Sequence, residues 1–82
     1  MIQDQFRQVP EWGAVFKVQE GHGFEKVVYA GSAIGITGEL HRHNEELEAV
    51  LLCYCHPSLN ILPITAQQYY AKRQDVFQRL AA

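Results

Sequence analysis

The sequence predicts a small α+β domain, in which an N-terminal antiparallel β-hairpin is followed by two α-helices packed on one sheet face. Two observations carry this prediction. Residues 14–30 are rich in β-branched and aromatic residues on both sides of a glycine-containing loop, a pattern typical of a hairpin. Later in the chain, two segments carry apolar residues at helical spacing and begin with residues that cap helices.

The length of the chain bounds its organisation. Its 82 residues are enough for one domain. The chain is 48% hydrophobic and 20% charged, a composition typical of a folded protein. Residues 1–11 are polar and contain Pro10, so we expect them to form a flexible N-terminal arm. Residues 12–82 are then the single small α+β domain.

Two predicted strands, residues 14–18 and 24–29, form the hairpin. The glycines of the intervening loop adopt positive φ without a steric penalty. If residues 21–22 form a two-residue loop, Lys17 faces Lys26. Two like charges directly opposite each other are unfavourable, so the register of the hairpin stays open.

Residues 32–37 offer a third strand, which a marginal two-stranded ribbon would need. The first helix is predicted over 45–55, with Asn44 as its N-cap and Pro57 as its stop. An earlier start near Thr37, which would include His41 and His43, is the alternative. The apolar residues of this helix fall on one helical face: Leu47, Val50, Leu51, Tyr54 and Cys55. As a strand, residues 48–55 would need burial on both faces, and the caps favour the helix.

The second helix has the clearest signals in the chain. Residues 65–68 have the S/T-x-x-E/Q form of a capping box, which satisfies backbone donors at a helix start. The residues that follow place one apolar stripe along the helix: Ala66, Tyr69, Tyr70, Val76, Phe77 and Leu80. Arg73 lies within this stripe.

Charge and cysteine content restrict the functional classes. The net charge is −2 and the seven Lys and Arg residues are scattered, so we expect no nucleic-acid partner. No apolar run approaches the ~20 residues that a membrane-spanning helix needs, and the N-terminus lacks a secretory signal pattern. Cys53 and Cys55 are too close for an unstrained disulfide, so we expect free thiols, buried on the first helix. A soluble, cytoplasmic protein is the expected result.

One cluster of residues suggests metal chemistry. His41, His43 and Glu48 combine imidazole and carboxylate groups that suit Mn, Fe, Ni or Zn. With Gly35 before them, they resemble the first metal-binding motif of cupins, in which these residue types point from strands into a β-barrel. The resemblance implies a cupin-like metal-binding small-molecule binder or enzyme. On a helix, however, residues two apart diverge by about 200°, which favours solvated histidines beside acids.

The sequence contains no complete catalytic set, so we expect a small non-catalytic interaction or regulatory module without a cofactor. A domain of this size has little interior, and the second helix carries more aromatic residues than a small core needs. We therefore predict a homodimer or higher homo-oligomer that also binds another protein. Its interface is expected at Tyr69, Tyr70 and Phe77, since tyrosine buries apolar area while its hydroxyl finds a polar contact.

Overall fold

The computed structural model describes residues 3–82. In chain order the elements are β1 (Asp4–Val9), β2 (Ala14–Gln19), β3 (Gly23–Ala30), β4 (Ala33–Leu40), α1 (Glu45–Cys53), β5 (Leu62–Pro63) and α2 (Ala66–Ala81). Short 3₁₀ turns at Pro10–Trp12 and His41–His43 follow β1 and β4. The strands form one antiparallel sheet in the order β4-β3-β2-β1-β5. The predicted α+β class is confirmed.

Strand β1 corrects the predicted N-terminal arm. Residues 4–9 pair with β2 along their whole length and with β5 on the other side, so β1 is an inner strand. Val9 is fully buried, and the side chain of Arg7 is buried too because its guanidinium finds acceptors inside the protein. The arm prediction is therefore wrong for residues 4–9. Residues 1–2 of the arm lie outside the described residues.

The hairpin forms as predicted, but its loop has three residues. Gln19 pairs with Gly23, and Lys17 consequently faces Glu25. This register replaces the unfavourable lysine pair of a two-residue loop by a pair of opposite charges. Gly23 has φ 114°, and a Cβ at this position would lie 2.0 Å from the backbone oxygen of Glu39. Only glycine fits where the hairpin loop meets the end of β4.

The later elements follow the predicted order with shifted ends. The third strand is longer than the predicted 32–37, since β4 extends to Leu40. Asn44 caps α1 through a hydrogen bond from the backbone N–H of Leu47. The helix ends at Cys53, before the predicted residue 55, because Tyr54 adopts a left-handed conformation with φ 56°. The capping box of α2 is present with both of its hydrogen bonds.

The two helices lie on opposite faces of the sheet, which corrects the prediction that both pack on one face. Helix α1 covers the face whose buried residues are Val9, Ala14, Phe16, Val18 and Phe24. Helix α2 covers the other face, where Tyr69 and Val76 pack on Val15 and Val27. Side chains alternate between faces along a strand, so both faces of β2 are buried. Over residues 3–82, no helix is long and apolar enough to cross a membrane.

Candidate functional site

Tyr69, one of the predicted interface residues, is fully buried inside its own chain. Its ring packs against Phe6 at a centroid distance of 5.3 Å. Its hydroxyl donates a hydrogen bond to Oε1 of Glu25 on β3. One turn later, Nε of Arg73 donates to the same oxygen at 2.8 Å. The assignment of Tyr69 to an interface is wrong, because its ring and its hydroxyl are both satisfied within the fold.

Burial and hydrogen bonding act in opposite directions on Glu25. Burial raises the pKa of its carboxyl. The hydrogen bonds from Arg73 and Tyr69 lower this pKa and outweigh the effect of burial, so the net pKa lies below the usual value. Burial and the hydrogen bond to Glu25 raise the pKa of the Tyr69 hydroxyl. At neutral pH, Tyr69 is therefore a neutral donor to an ionised carboxylate. This arrangement fixes α2 on the sheet and provides no free general base.

Tyr70 and Phe77, the other predicted interface residues, lie two turns apart on one flank of α2. Their exposed fractions are 45% and 54%. The Tyr70 ring packs edge-on against Phe6 at 5.9 Å, and the Lys17 ammonium lies 5.8 Å from its centroid. Leu80, further along the helix, is 49% exposed. We call Tyr70, Phe77 and Leu80 the α2 apolar strip. It contains the large side chains of the predicted helical stripe that the fold leaves open to solvent.

The structure brings together two of the three candidate metal ligands. Nδ1 of His41 contacts Oε2 of Glu48, and its Nε2 lies 3.2 Å from Glu45. The other Glu48 oxygen accepts the backbone N–H of Gly23 at 3.1 Å. Glu48 is 2% exposed, so these contacts compensate for the burial of a carboxylate. They fasten α1 to the hairpin loop and to the end of β4.

His43 lies outside this cluster. His41 and His43 are two residues apart on a 3₁₀ turn, whose rotation of about 120° per residue places their side chains about 120° apart around the turn axis. Nε2 of His43 accepts a hydrogen bond from Arg42 at 3.4 Å in an exposed position. Within residues 3–82, no three His, Cys, Asp or Glu side chains are grouped as metal ligands. The geometry that the cupin resemblance implies, with His41, His43 and Glu48 around one point, is not formed.

Arg7 is a buried polar centre that the sequence analysis missed. Its Nε donates to the backbone oxygen of Leu51 at 3.0 Å, and its guanidinium lies 4.5 Å from the ring centroid of Tyr54. Two further hydrogen bonds, to Phe6 O and Gln5 Oε1, use the remaining nitrogens. Arg7 thereby connects β1 to the C-terminal end of α1. The only signal in the sequence is a single arginine within the short polar segment 1–11, which predicts exposure of that arginine.

Both cysteines are free and exposed, which corrects their predicted burial on the first helix. Cys53 ends α1, and Cys55 follows the left-handed Tyr54. The hydrogen bond and charge of Cys55 raise the pKa of the Cys53 thiol above its usual value. A raised pKa disfavours the thiolate, which is the reactive form of a nucleophilic cysteine.

A shallow pocket opens between the first 3₁₀ turn and α1. Its volume is about 190 Å³, and it is lined by Trp12, Asn44, Glu46, Leu47, Val50 and His56. Small-molecule sites usually have ~300–1,000 Å³. The pocket is therefore too small to enclose a typical organic substrate.

No protein-family model matches the chain, and neither a curated protein nor a solved structure shows significant similarity to it.

Proposed function

We propose that this protein is a small non-catalytic interaction module that self-associates and binds another protein. The observation that carries the proposal is the α2 apolar strip, in which three large side chains are about half exposed on one helix. Helix α2 buries only Tyr69 and Val76 in its own fold. Contiguous exposed apolar surface on a small protein is typical of sites for protein contacts.

The chemistry of the strip suits a protein partner. Tyrosine and phenylalanine are enriched at interfaces, where large rings exclude water at a small cost in side-chain entropy. Tyr70 is already held in place by Phe6 and Lys17, so little conformational freedom remains for it to lose on binding.

The buried charged groups support the non-catalytic part of the proposal. Glu48 and Arg7 are the buried charged residues within 3–82, and each makes hydrogen bonds inside the chain. A general acid or base has to reach a substrate atom with a free proton site. Both side chains are instead used to join α1 to the sheet.

Light scattering over a series of protein concentrations tests self-association. We expect a mass at least twice 9.4 kDa for the wild type and close to 9.4 kDa for Phe77→Asp, because the new carboxylate would be desolvated in an interface. Gln78→Asp is the matched control, since it adds the same charge at the next position on the exposed side of α2. Circular dichroism checks that both variants fold. A wild-type mass near 9.4 kDa at every soluble concentration would contradict self-association.

A further inference from the structure

Strand β4 is a free edge of the sheet in residues 3–82, since it pairs with β3 only. The direction of its backbone groups follows from Tyr29 on β3, whose N–H donates to Gly13 next to β2 at 3.1 Å. The backbone groups of Tyr29, an odd-numbered residue, therefore point toward β2. The backbone groups of successive β3 residues point alternately to β2 and β4, so the even-numbered residues 24–30 form hydrogen bonds with β4. Their partners on β4 are odd-numbered. The N–H and C=O groups of four β4 residues therefore point away from the sheet: Ile34, Ile36, Gly38 and Leu40.

The two edges of the sheet differ in how they are protected. At one edge, β5 has two residues and contains Pro63, which has no N–H to offer a further strand. At the other edge, β4 has eight residues, and residues 33–38 contain neither a proline nor a charge. Natural proteins protect exposed edges with short strands, prolines or charges. Of the two edge strands, only β4 is long and free of prolines and charges over most of its residues.

The C-terminal half of helix α2 lies near the β4 edge of the sheet. It begins after β5 and makes its most extensive contact with β4, so it crosses the sheet toward the β4 edge. Val76 is buried against the sheet, and Ile36 of β4 packs against the same cluster while remaining partly exposed. Leu80 lies one turn further along the same face of the helix and is 49% exposed. An additional strand beside β4 would give Leu80 a surface to cover.

We propose that a second copy of this chain pairs with β4 edge to edge, in antiparallel orientation, and joins two sheets into one. This inference rests on the self-association proposed above and specifies the surface it uses. The register with Thr37 opposite its own copy uses all four outward residues of each strand. It pairs Ile34 with Leu40 of the second copy, and these side chains are now 38% and 50% exposed.

A second copy fits this edge better than an unrelated strand. Antiparallel pairing about a two-fold axis is self-complementary, because each copy offers the same groups that it needs. In this register Glu39, the charged residue of β4, faces Gly35 of the other strand, so the two carboxylates stay apart. A standard interface buries roughly 800 Å² per partner, or about 15% of the 5299 Å² surface of this chain. The proposed contact extends over the eight residues of β4 and over Phe77 and Leu80 of α2.

A matched pair of substitutions at Gly38 tests the proposal. Gly38 has negative φ, and nothing lies within 4 Å of a Cβ added there, so the methyl group of alanine has space. The ring of a proline would take the place of the outward N–H, on the side of β4 away from β3. Gly38→Pro removes an outward N–H and leaves the hydrogen bonds with β3 in place. Gly38→Ala keeps that N–H. We expect the dimer dissociation constant to rise at least tenfold for Gly38→Pro and to change less than threefold for Gly38→Ala.

Hydrogen exchange of the wild type tests the same surface without a substitution, and it decides the question if Gly38→Pro does not fold. Above the dissociation constant, the amides of Ile34, Ile36 and Gly38 should exchange at least tenfold more slowly than in dilute protein. The amides of Gly35 and Thr37, which face β3, should be protected at both concentrations. A wild-type dimer whose outward amides exchange equally fast at both concentrations overturns the edge pairing alone. A wild type that is monomeric throughout overturns self-association as well.

Discussion

Glu25 shows how one ionised side chain connects α2 to the sheet. Its carboxylate receives hydrogen bonds from Tyr69 and Arg73 and lies across from Lys17. These donors keep its pKa below the usual value although burial acts in the other direction. The fold therefore stabilises the ionised form of Glu25. This contribution is complete above the unfolded-state pKa, about 4.3, and disappears as the pH falls through the folded-state pKa.

We predict that Glu25→Gln lowers the free energy of unfolding by about 1–2 kcal/mol at pH 7, the range for hydrogen bonds to charged groups at a partly exposed site. The difference from the wild type should shrink below about pH 4, where the wild-type carboxyl becomes protonated. Urea unfolding between pH 3 and pH 7 measures both quantities.

Asp75→Asn is the control for this measurement. Asp75 pairs with Arg79 at i,i+4 on the exposed side of α2, at 3.3 Å. Such pairs contribute only a few tenths of a kcal/mol, so its removal should change stability little at any pH. A Glu25→Gln difference that stays constant from pH 7 to pH 3 would show that ionisation of Glu25 contributes nothing.

Arg7 and Glu48 explain why the polar interior was the least predictable part of the molecule. Each is a charged residue in a segment where solvent exposure is the usual expectation. What buries them is a partner distant in sequence: Leu51 for Arg7, and the backbone of Gly23 for Glu48. No local pattern encodes a contact across 25 or 44 positions. The sequence suggested His41 and Glu48 only as part of a metal-binding set with His43. In the structure these two side chains join α1 to the end of β4 and do not form that set with His43.

At the scale of elements, the helices were predictable because their signals are local. Asn44 and the capping box at residues 65–68 lie within a few positions of the backbone groups they satisfy. Strand β1 lacked such a signal. Its polar residues do not alternate cleanly with apolar ones, and its burial depends on β2 and β5. The choice of sheet face for each helix is likewise a long-range property, so the prediction of one shared face failed while both helices were found.

The hairpin loop provides a test of backbone geometry at this scale. Gly21 and Gly23 both have positive φ, 79° and 114°. A Cβ on Gly21 would meet nothing within 4 Å, whereas a Cβ on Gly23 would lie 2.0 Å from Glu39 O. We predict that Gly21→Ala costs about 1–2 kcal/mol, the usual strain of a left-handed residue. Gly23→Ala should cost at least about 3 kcal/mol, since the end of β4 must also move.

Urea unfolding of the two glycine variants measures the difference between them. Gly21→Ala serves as the matched control, because it introduces the same methyl group into the same loop. Equal losses of stability would mean that the close approach of β3 to the end of β4 does not constrain the fold.

At the scale of the whole molecule, the two faces of the sheet differ in how much apolar surface they bury. The α1 face holds the larger cluster of buried residues, including Phe16 and Phe24 at a centroid distance of 5.6 Å. The α2 face buries fewer residues and leaves the α2 apolar strip exposed. Under the proposed function, part of the stability of the α2 face comes from a second copy. Assembly and folding are then linked, because a ligand that binds only the folded state stabilises it.

This linkage predicts that the unfolding temperature depends on protein concentration. For a dimer that dissociates on unfolding, each tenfold rise in concentration adds about 1.4 kcal/mol per dimer, equivalent to about 3–5 °C for an assembly of this size. Calorimetry over a hundredfold concentration range should therefore show the wild-type midpoint rising by about 6–10 °C. Phe77→Asp should show no such rise, because a folded monomer unfolds independently of concentration, and Gln78→Asp should behave as the wild type does. A wild-type midpoint that stays constant over this range would contradict a dimer coupled to folding.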